Sequence, residues 1–261
     1  MKIAIFDSGM GGLSVLHQAI RILPDENFIY FADIDNVPYG IKSKEEILNF
    51  TDKAVKFLLG QDIKAIVVAC NTATSVAIKY LRETYPEIII IGMEPAVKMA
   101  IDNFPNKKSL VIATPITVAG EKMDKLINKY DVNNLINLLA LPKLVEFAEN
   151  EIFEGEEVKE YLESEFSKFN FNEFSSIVLG CTHFNYFKDV LIEVLPKHMK
   201  ILDGNLGTVN NLKSELEKKN ILDEKEQNEL EYFYSCRKVK DKNELARIDR
   251  YLQKLDEVYE K

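Results

Sequence analysis

Along the chain, short apolar runs take turns with longer stretches in which apolar residues recur every three or four positions. The runs KIAIF (2–6), NFIYFA (27–32), KAIVVA (64–69), IIIIG (88–92), SLVIA (109–113), NLINLLA (134–140), SSIVLG (175–180), KILD (200–203) and LEYFYS (230–235) read as strands. They are rich in Ile, Val and aromatics and lack clean polar alternation, as expected where both faces of a parallel sheet are covered. Between them, LSVLHQAIRIL (13–23) and SKEEILNFTDKAVKFLL (43–59) have helical spacing. Ser43, with Glu46 three places on, makes a capping box at the start of the second. Further helices are expected near 117–128, at 142–166, at 183–194 and near 205–219, with a charged amphipathic helix at the end. This alternation predicts a doubly wound α/β architecture. The weak break in the pattern is FPNKKS (104–109).

Two pieces of the pattern are near-copies. AIVVACNTATSVAIKYL, from residue 65, and SIVLGCTHFNYFKDVLI, from residue 176, align without a gap. Each is a strand, then a cysteine, then a helix start. A fainter match sets IAIFDSG, from residue 3, against LVIATPIT, from residue 110, and places Asp7 opposite Thr114. Two related α/β halves facing each other would bring both cysteine-bearing strand ends to one cleft. Ligands of open parallel sheets bind beyond the carboxyl ends of the strands.

Bulk composition narrows the partners. The chain has 261 residues and a formal net charge of −9, which disfavours a duplex nucleic acid or an anionic membrane as main partner. No run approaches the roughly 20 apolar residues of a membrane-spanning helix, and MKIAIFDSG reads as a first strand, not a signal peptide. Three cysteines without a secretion signal point to reduced thiols and a cytoplasmic protein.

The cysteines carry the candidate chemistry. Cys70 and Cys181 each end a strand and lead into a helix start, where the helix dipole and free N–H groups favour a thiolate and lower its pKa from about 8.5. Two equivalent bases facing one cleft suit a racemase, which takes a proton from one face of a carbon and returns one to the other. Asp7 in FDSGMGG is either an N-cap or an acid–base group beside a cysteine. His183, two residues after Cys181, is placed for proton chemistry. His17 and His198 read as structural or solvated, and Cys236 as an ordinary strand-end residue. Gly9, Gly11 and Ser14, with Asp33 after the second strand, admit a rival reading as a degraded dinucleotide site. In either reading the glycine-rich turn offers N–H groups to an anion. Glu94 reads as a cap, and the acidic stretch 150–169 as a solvated helix face.

Taken together, FDSGMGGLSVL, VPYG, VACNTATSVA, IGMEPAVKMA, ATPITV and LGCTHF resemble the glutamate racemase family of cofactor-independent aspartate/glutamate racemases. They occur in that family's order between residue 3 and about residue 190. The resemblance implies two similar doubly wound α/β domains related by a pseudo-twofold axis, one of residues 1–93 plus 205–261 and the other of residues 94–204, with the active site between them. It implies Cys70 and Cys181 as catalytic bases, Asp7 assisting Cys70 and His183 assisting Cys181, and no cofactor or metal. Ser8, Tyr39, Gly40, Asn71, Thr72 and Thr182 would hold the amino acid, with Thr114 and Thr117 adding to the carboxylate site and Pro38 and Glu149 in support. It further implies a homodimer that supplies D-glutamate for peptidoglycan.

The chain departs from the family pattern at ADIDN before VPYG, at Gly120, Met123, Leu141, Glu146 and Asn185, and after residue 204. Three other readings stand beside it: racemisation of aspartate or another acidic amino acid, a catalytically silent binding protein of the same fold, and a single-cysteine hydrolase.

Overall fold

The computed structural model describes residues 1–93, 96–131, 133–223 and 229–259; Glu94 lies outside them. The chain runs β1 (Lys2–Asp7), α1 (Leu13–Ile22), β2 (Phe28–Ala32), α2 (Lys44–Leu59), β3 (Ile63–Val68), α3 (Asn71–Thr84) and β4 (Ile89–Gly92). It continues with α4 (Val97–Asn103), β5 (Lys108–Ala113), α5 (Pro115–Val118), α6 (Glu121–Tyr130), β6 (Ile136–Ala140), α7 (Pro142–Glu149), α8 (Glu156–Phe166), β7 (Phe174–Leu179), α9 (Lys188–Val194) and β8 (Lys200–Asp203). The last elements are α10 (Asn205–Lys218), β9 (Leu230–Tyr234), β10 (Arg237–Lys238) and α11 (Lys242–Tyr259).

The strands form two sheets, ordered β10-β9-β2-β1-β3-β4 and β6-β5-β7-β8. All pairings are parallel except the β9–β10 hairpin. The second sheet repeats the order β2-β1-β3-β4 and also a detail of it. The β1–β3 register shifts at Lys2/Ile3, and the β5–β7 register shifts at Lys108/Ser109. Both faces of each sheet are covered. On β1, Ile3 and Ile5 pack into the cluster that holds α1 and α11, while Ala4 and Phe6 pack into the cluster beneath α2 and α3. On β5, Leu110 and Ile112 face the first of these clusters, and Val111 faces a third one under α4 and α6. Each such Ile, Leu, Val or Phe side chain, fully buried, contributes about 1.5–3 kcal/mol by leaving water.

The capping box at Ser43 and Glu46 is present. Four expectations change. The stretch 142–166 is two helices, because Glu151 and Gly155 take positive φ values of 60° and 107° and break the turn. The helix near 117–128 is α5 and then α6, interrupted at Ala119 and Gly120. The stretch 183–194 opens as a 3-10 turn, Thr182–Phe187, before α9. Cys236 lies not at a strand end but in the β9–β10 turn, at φ 68°. The weak break at 104–109 falls between α4 and β5, and α4 packs on α6, β5 and β7.

Candidate active site

Asp7, Cys70, Thr114 and Cys181 stand at or just past the carboxyl ends of β1, β3, β5 and β7. Backbone bonds fix the equivalences. Ala69 N–H donates to Phe6 O as Gly180 N–H donates to Ile112 O, and Asp33 N–H donates to Asp7 O as Leu141 N–H donates to Ala113 O. Cys70 therefore matches Cys181, as the aligned copies predict. Asp7 matches Ala113 and Ser8 matches Thr114, so the fainter sequence match is corrected by one residue.

Cys70 is buried and caps α3, its sulfur accepting from Ala73 N–H at 3.4 Å and its thiol donating to Ser8 Oγ at 3.5 Å. Ser8 donates in turn to Asp7 Oδ1 at 3.2 Å. Burial, with the Asp7 charge nearby, pushes the Cys70 thiol up to about 12, against the Ala73 and Ser8 bonds. The expectation of a lowered thiol pKa is thus overturned at Cys70, because desolvation outweighs the helix N-terminus.

Cys181 is also buried, and its sulfur lies 3.7 Å from His183 Nδ1. The other ring nitrogen lies 2.6 Å from Glu149 Oε1. Burial disfavours charge on His183, but its bonds to Cys181 and Glu149 prevail and hold it well above its usual 6.5. Burial likewise opposes charge on Glu149, and the His183 bond, Met10 N–H and Arg247 hold it below 4.5. Glu149 is the last residue of α7.

Asp7 links the two sides. Its Oδ2 accepts from the Thr182 hydroxyl at 2.9 Å, and its Oδ1 also accepts from Gly9 N–H at 3.1 Å. Burial raises its pKa above 3.8, opposed by His183, Thr182 and Gly9. The glycine turn permits the close approach. A Cβ at Gly11 would lie 2.5 Å from His183 Nδ1 and 2.5 Å from Thr182 Oγ1. Gly9 N–H is held by Asp7, and Met10 N–H donates to Glu149 Oε1 at 2.7 Å. These two N–H groups are taken up within the protein and do not face an external anion.

A third group of side chains flanks the thiols. Thr72 Oγ1 is 2.9 Å from Thr114 Oγ1 and 3.4 Å from Thr117 Oγ1, and Thr114 donates to Thr117 at 3.0 Å. Gly40 backs onto Thr114, where a Cβ would come within 2.8 Å. Tyr39 is buried, and its hydroxyl donates to Asp33 Oδ2 at 2.6 Å. Asp33 also accepts from Asn36 and Ser235, so it is an anchor for Tyr39 and not an open ribose ligand. Pro38 precedes this tyrosine through a cis peptide bond from Val37. Asn71 Oδ1 is buried without a hydrogen-bond partner among the described residues.

His17 and His198 fall outside the site. His17 Nε2 lies 2.8 Å from Asp256 on α11, and His198 bonds the carbonyls of Phe171 and Phe174. Asn185, a departure from the family pattern, donates to Thr182 O at 3.1 Å and so braces the turn after Cys181. Asp33, expected from sequence only as a ribose ligand, anchors Tyr39 instead, and Arg247 behind Glu149 is not among the expected site residues. Asp33 had a signal in its place at a strand end; Arg247, inside a charged terminal helix, had none. Among the described residues no helix is long and apolar enough to cross a membrane, and no group of three or more His, Cys, Asp or Glu is arranged to hold a metal ion.

The chain is similar to known proteins in sequence and in fold. A family model described as Asp/Glu/Hydantoin racemase matches residues 11–212. A glutamate racemase of Campylobacter curvus is 56% identical over 266 residues, covering 100% of this chain and 99% of that protein. Glutamate racemase 2 of Bacillus subtilis is 43% identical, covering 98% of this chain and 97% of that one. Among solved structures, the Francisella tularensis glutamate racemase in complex with D-glutamate superposes with a TM-score of 0.83 at 28% identity, over 97% of this chain and 93% of that one. The Campylobacter jejuni glutamate racemase superposes with a TM-score of 0.81 at 30% identity, over 97% of this chain and 98% of that one. By sequence and by fold, the chain belongs to the Asp/Glu/Hydantoin racemase family.

Proposed function

We propose that this protein interconverts L- and D-glutamate by proton transfer at Cα, with Cys70 and Cys181 as the two bases and no cofactor. The observation that carries the reading is the pair of buried thiols at equivalent strand ends of two repeated sheets, each with its own polar partners. One cysteine, as thiolate, removes the Cα proton, and the electron pair passes into the adjacent carboxylate. The other cysteine, as thiol, delivers its proton to the opposite face. The two sulfurs exchange protonation states, and the next turnover runs back or follows proton exchange with solvent.

At neutral pH Cys70 rests as a thiol, being raised to about 12, and is a strong base once deprotonated. His183 keeps its proton and stands as a reservoir for Cys181. A Cα–H is a weak acid, so the developing negative charge needs donors fixed in a dry site. The Thr72, Thr114 and Thr117 hydroxyls suit a carboxylate; Ser8, Tyr39 and Thr182, whose hydroxyls donate to Asp7 and Asp33, would hold it with Gly40 through their backbone N–H groups. The unpartnered Asn71 Oδ1 suits the substrate ammonium.

The domains are assigned as residues 1–93 with 205–261 and residues 94–204, a division supported by the packing of α10 on α1 and β4. The protein is assigned to the cytosol as a homodimer, and its product, D-glutamate, to peptidoglycan synthesis. The test is to incubate reduced protein with L-glutamate in D₂O, without added cofactor, and to follow loss of the Cα proton together with chirality by NMR. Exchange with growing D-glutamate is expected. Exchange with aspartate alone would move the substrate, and none with either would overturn the reading. Sedimentation velocity reads the dimer.

A further inference from the structure

The chain of contacts behind Cys181 does not end at Glu149. Arg247 on α11 donates from one terminal nitrogen to the backbone carbonyl of Glu149 at 2.7 Å, and the same nitrogen lies 3.4 Å from Glu149 Oε2. Its Nε lies 3.5 Å from Glu151. Tyr251, one turn further along α11, donates its hydroxyl to Ala148 O at 2.6 Å and accepts from Arg247 at 3.3 Å. The last carbonyls of a helix have no partner within it, and a cation there is favoured by the helix dipole. α11 therefore caps the C-terminal turn of α7 at the point where Glu149 leaves it.

Each Glu149 oxygen has an assigned task. Oε1 meets His183 Nε2 and Met10 N–H, and Oε2 faces Arg247. The line Arg247–Glu149–His183–Cys181 is continuous. Cys70 has no counterpart among its bonds, which go to Ser8 and Ala73. Further contacts bind the same helix to this side of the cleft. Asp256 meets His17, Lys254 meets Asp189, and Tyr259 donates to Asn185 in the turn after Cys181.

We propose that Arg247 is a positioning residue for the reaction: by holding the Glu149 carboxylate and the end of α7, it sets His183 against Cys181 and serves one of the two bases only. This rests on the two-cysteine reading above. Arg247 has no bond to the Thr72, Thr114 and Thr117 cluster, so its loss acts on kcat and spares KM. Against burial, and after His183 and Met10 N–H, its charge also helps to hold Glu149 down, so its loss moves the acid limb of the rate profile to higher pH. Among the described residues, the titratable groups acting on Glu149 are Asp7, His183 and Arg247, with Glu151 beyond Arg247, and four tyrosines. Tyr30, Tyr186, Tyr234 and Tyr251 are all raised by burial and stay neutral through the acid range.

The experiment compares kcat and KM for both glutamate enantiomers, across pH, in wild type, Arg247→Ala, Arg247→Lys and Arg250→Ala. Arg250 pairs with Glu151 from the same helix, outside the line to Cys181, and serves as the structural control. Arg247→Ala should lose roughly ten- to a hundredfold in kcat, the size seen when a partner behind a site histidine is removed or a site shifts by an ångström. Its acid limb should rise, Arg247→Lys should recover most of both effects, and Arg250→Ala should match wild type. A wild-type kcat and acid limb in Arg247→Ala would overturn the proposal and leave the racemase reading intact. So would equal losses in Arg247→Ala and Arg250→Ala with no pH shift. If Arg247→Ala does not fold, Arg247→Gln, which keeps a donor without charge, carries the same comparison. An inactive wild type would remove the two-cysteine reading and this proposal with it.

Discussion

Thr182 donates its hydroxyl to Asp7 Oδ2 at 2.9 Å, across 175 positions of sequence. Thr182 follows Cys181 directly, and the other Asp7 oxygen accepts from Ser8, which takes the Cys70 thiol proton in its hydrogen bond. One buried carboxylate thus touches the supports of both sulfurs. Ser8, Gly9 and Thr182 are all donors to it, and an amide would turn one of its acceptors into a donor facing a donor. Asp7→Asn should therefore lower kcat by roughly a hundredfold or more. Steady-state racemisation by circular dichroism checks it, and a loss below about twofold would leave Asp7 a purely structural carboxylate.

The two thiols should fail differently from each other. Cys70→Ala and Cys181→Ala should each abolish inversion, since one face then has no proton carrier. The remaining sulfur still reaches one face, so each variant should exchange the Cα proton of one enantiomer only, and of opposite enantiomers in the two cases. NMR in D₂O with chiral analysis reads this. Exchange of both enantiomers by either variant would mean that a base other than these cysteines is at work. The enantiomers have equal free energy in water, so kcat/KM must stay equal in the two directions for every active variant; the asymmetry shows in exchange and not in that ratio.

The Glu149–His183 pair sets a pH window for stability. His183 is raised above 6.5, so its contribution is full below 6.5 and is lost as pH rises through the higher folded value. Glu149 is lowered below 4.5, so its contribution is full above 4.5 and is lost as pH falls through the lower folded value. Both are complete between 4.5 and 6.5. Glu149→Gln should cost about 2 kcal/mol or more in that window, as one partner of a buried pair is removed. It should also flatten the decline at alkaline pH. Chemical denaturation at several pH values tests both, and a wild-type slope above 6.5 in the variant would assign the rise of His183 to Cys181 and not to Glu149.

Gly11 is needed for its missing side chain. An alanine Cβ would meet not only the His183 ring but the His183 backbone nitrogen at 2.7 Å, which cannot swing aside. Gly11→Ala should cost roughly 1–3 kcal/mol by overpacking and should push the β7–α9 turn away from β1, lowering activity along with stability. Gly207 has open space at its Cβ position and a helical setting, so Gly207→Ala should be neutral or slightly stabilising. Thermal melts of the two variants side by side decide this.

The sequence by itself determined the strands, most of the helices, the repeat and both cysteines. Apolar runs bounded by turn residues report burial on both faces, and that pattern is local. Asp7 and His183 were legible for the same reason, being neighbours of a strand end or a cysteine. The tertiary structure alone decided what surrounds them. Glu149 meets His183 from 34 positions away, and Arg247 reaches it from the final helix. The rise of the Cys70 thiol to about 12, where helix position suggested a fall, follows from full desolvation beside Asp7. The one-residue correction of Asp7 against Ala113 came from ladder bonds. Proton affinity and polar pairing depend on burial and on distances through space, which order along the chain does not encode residue by residue.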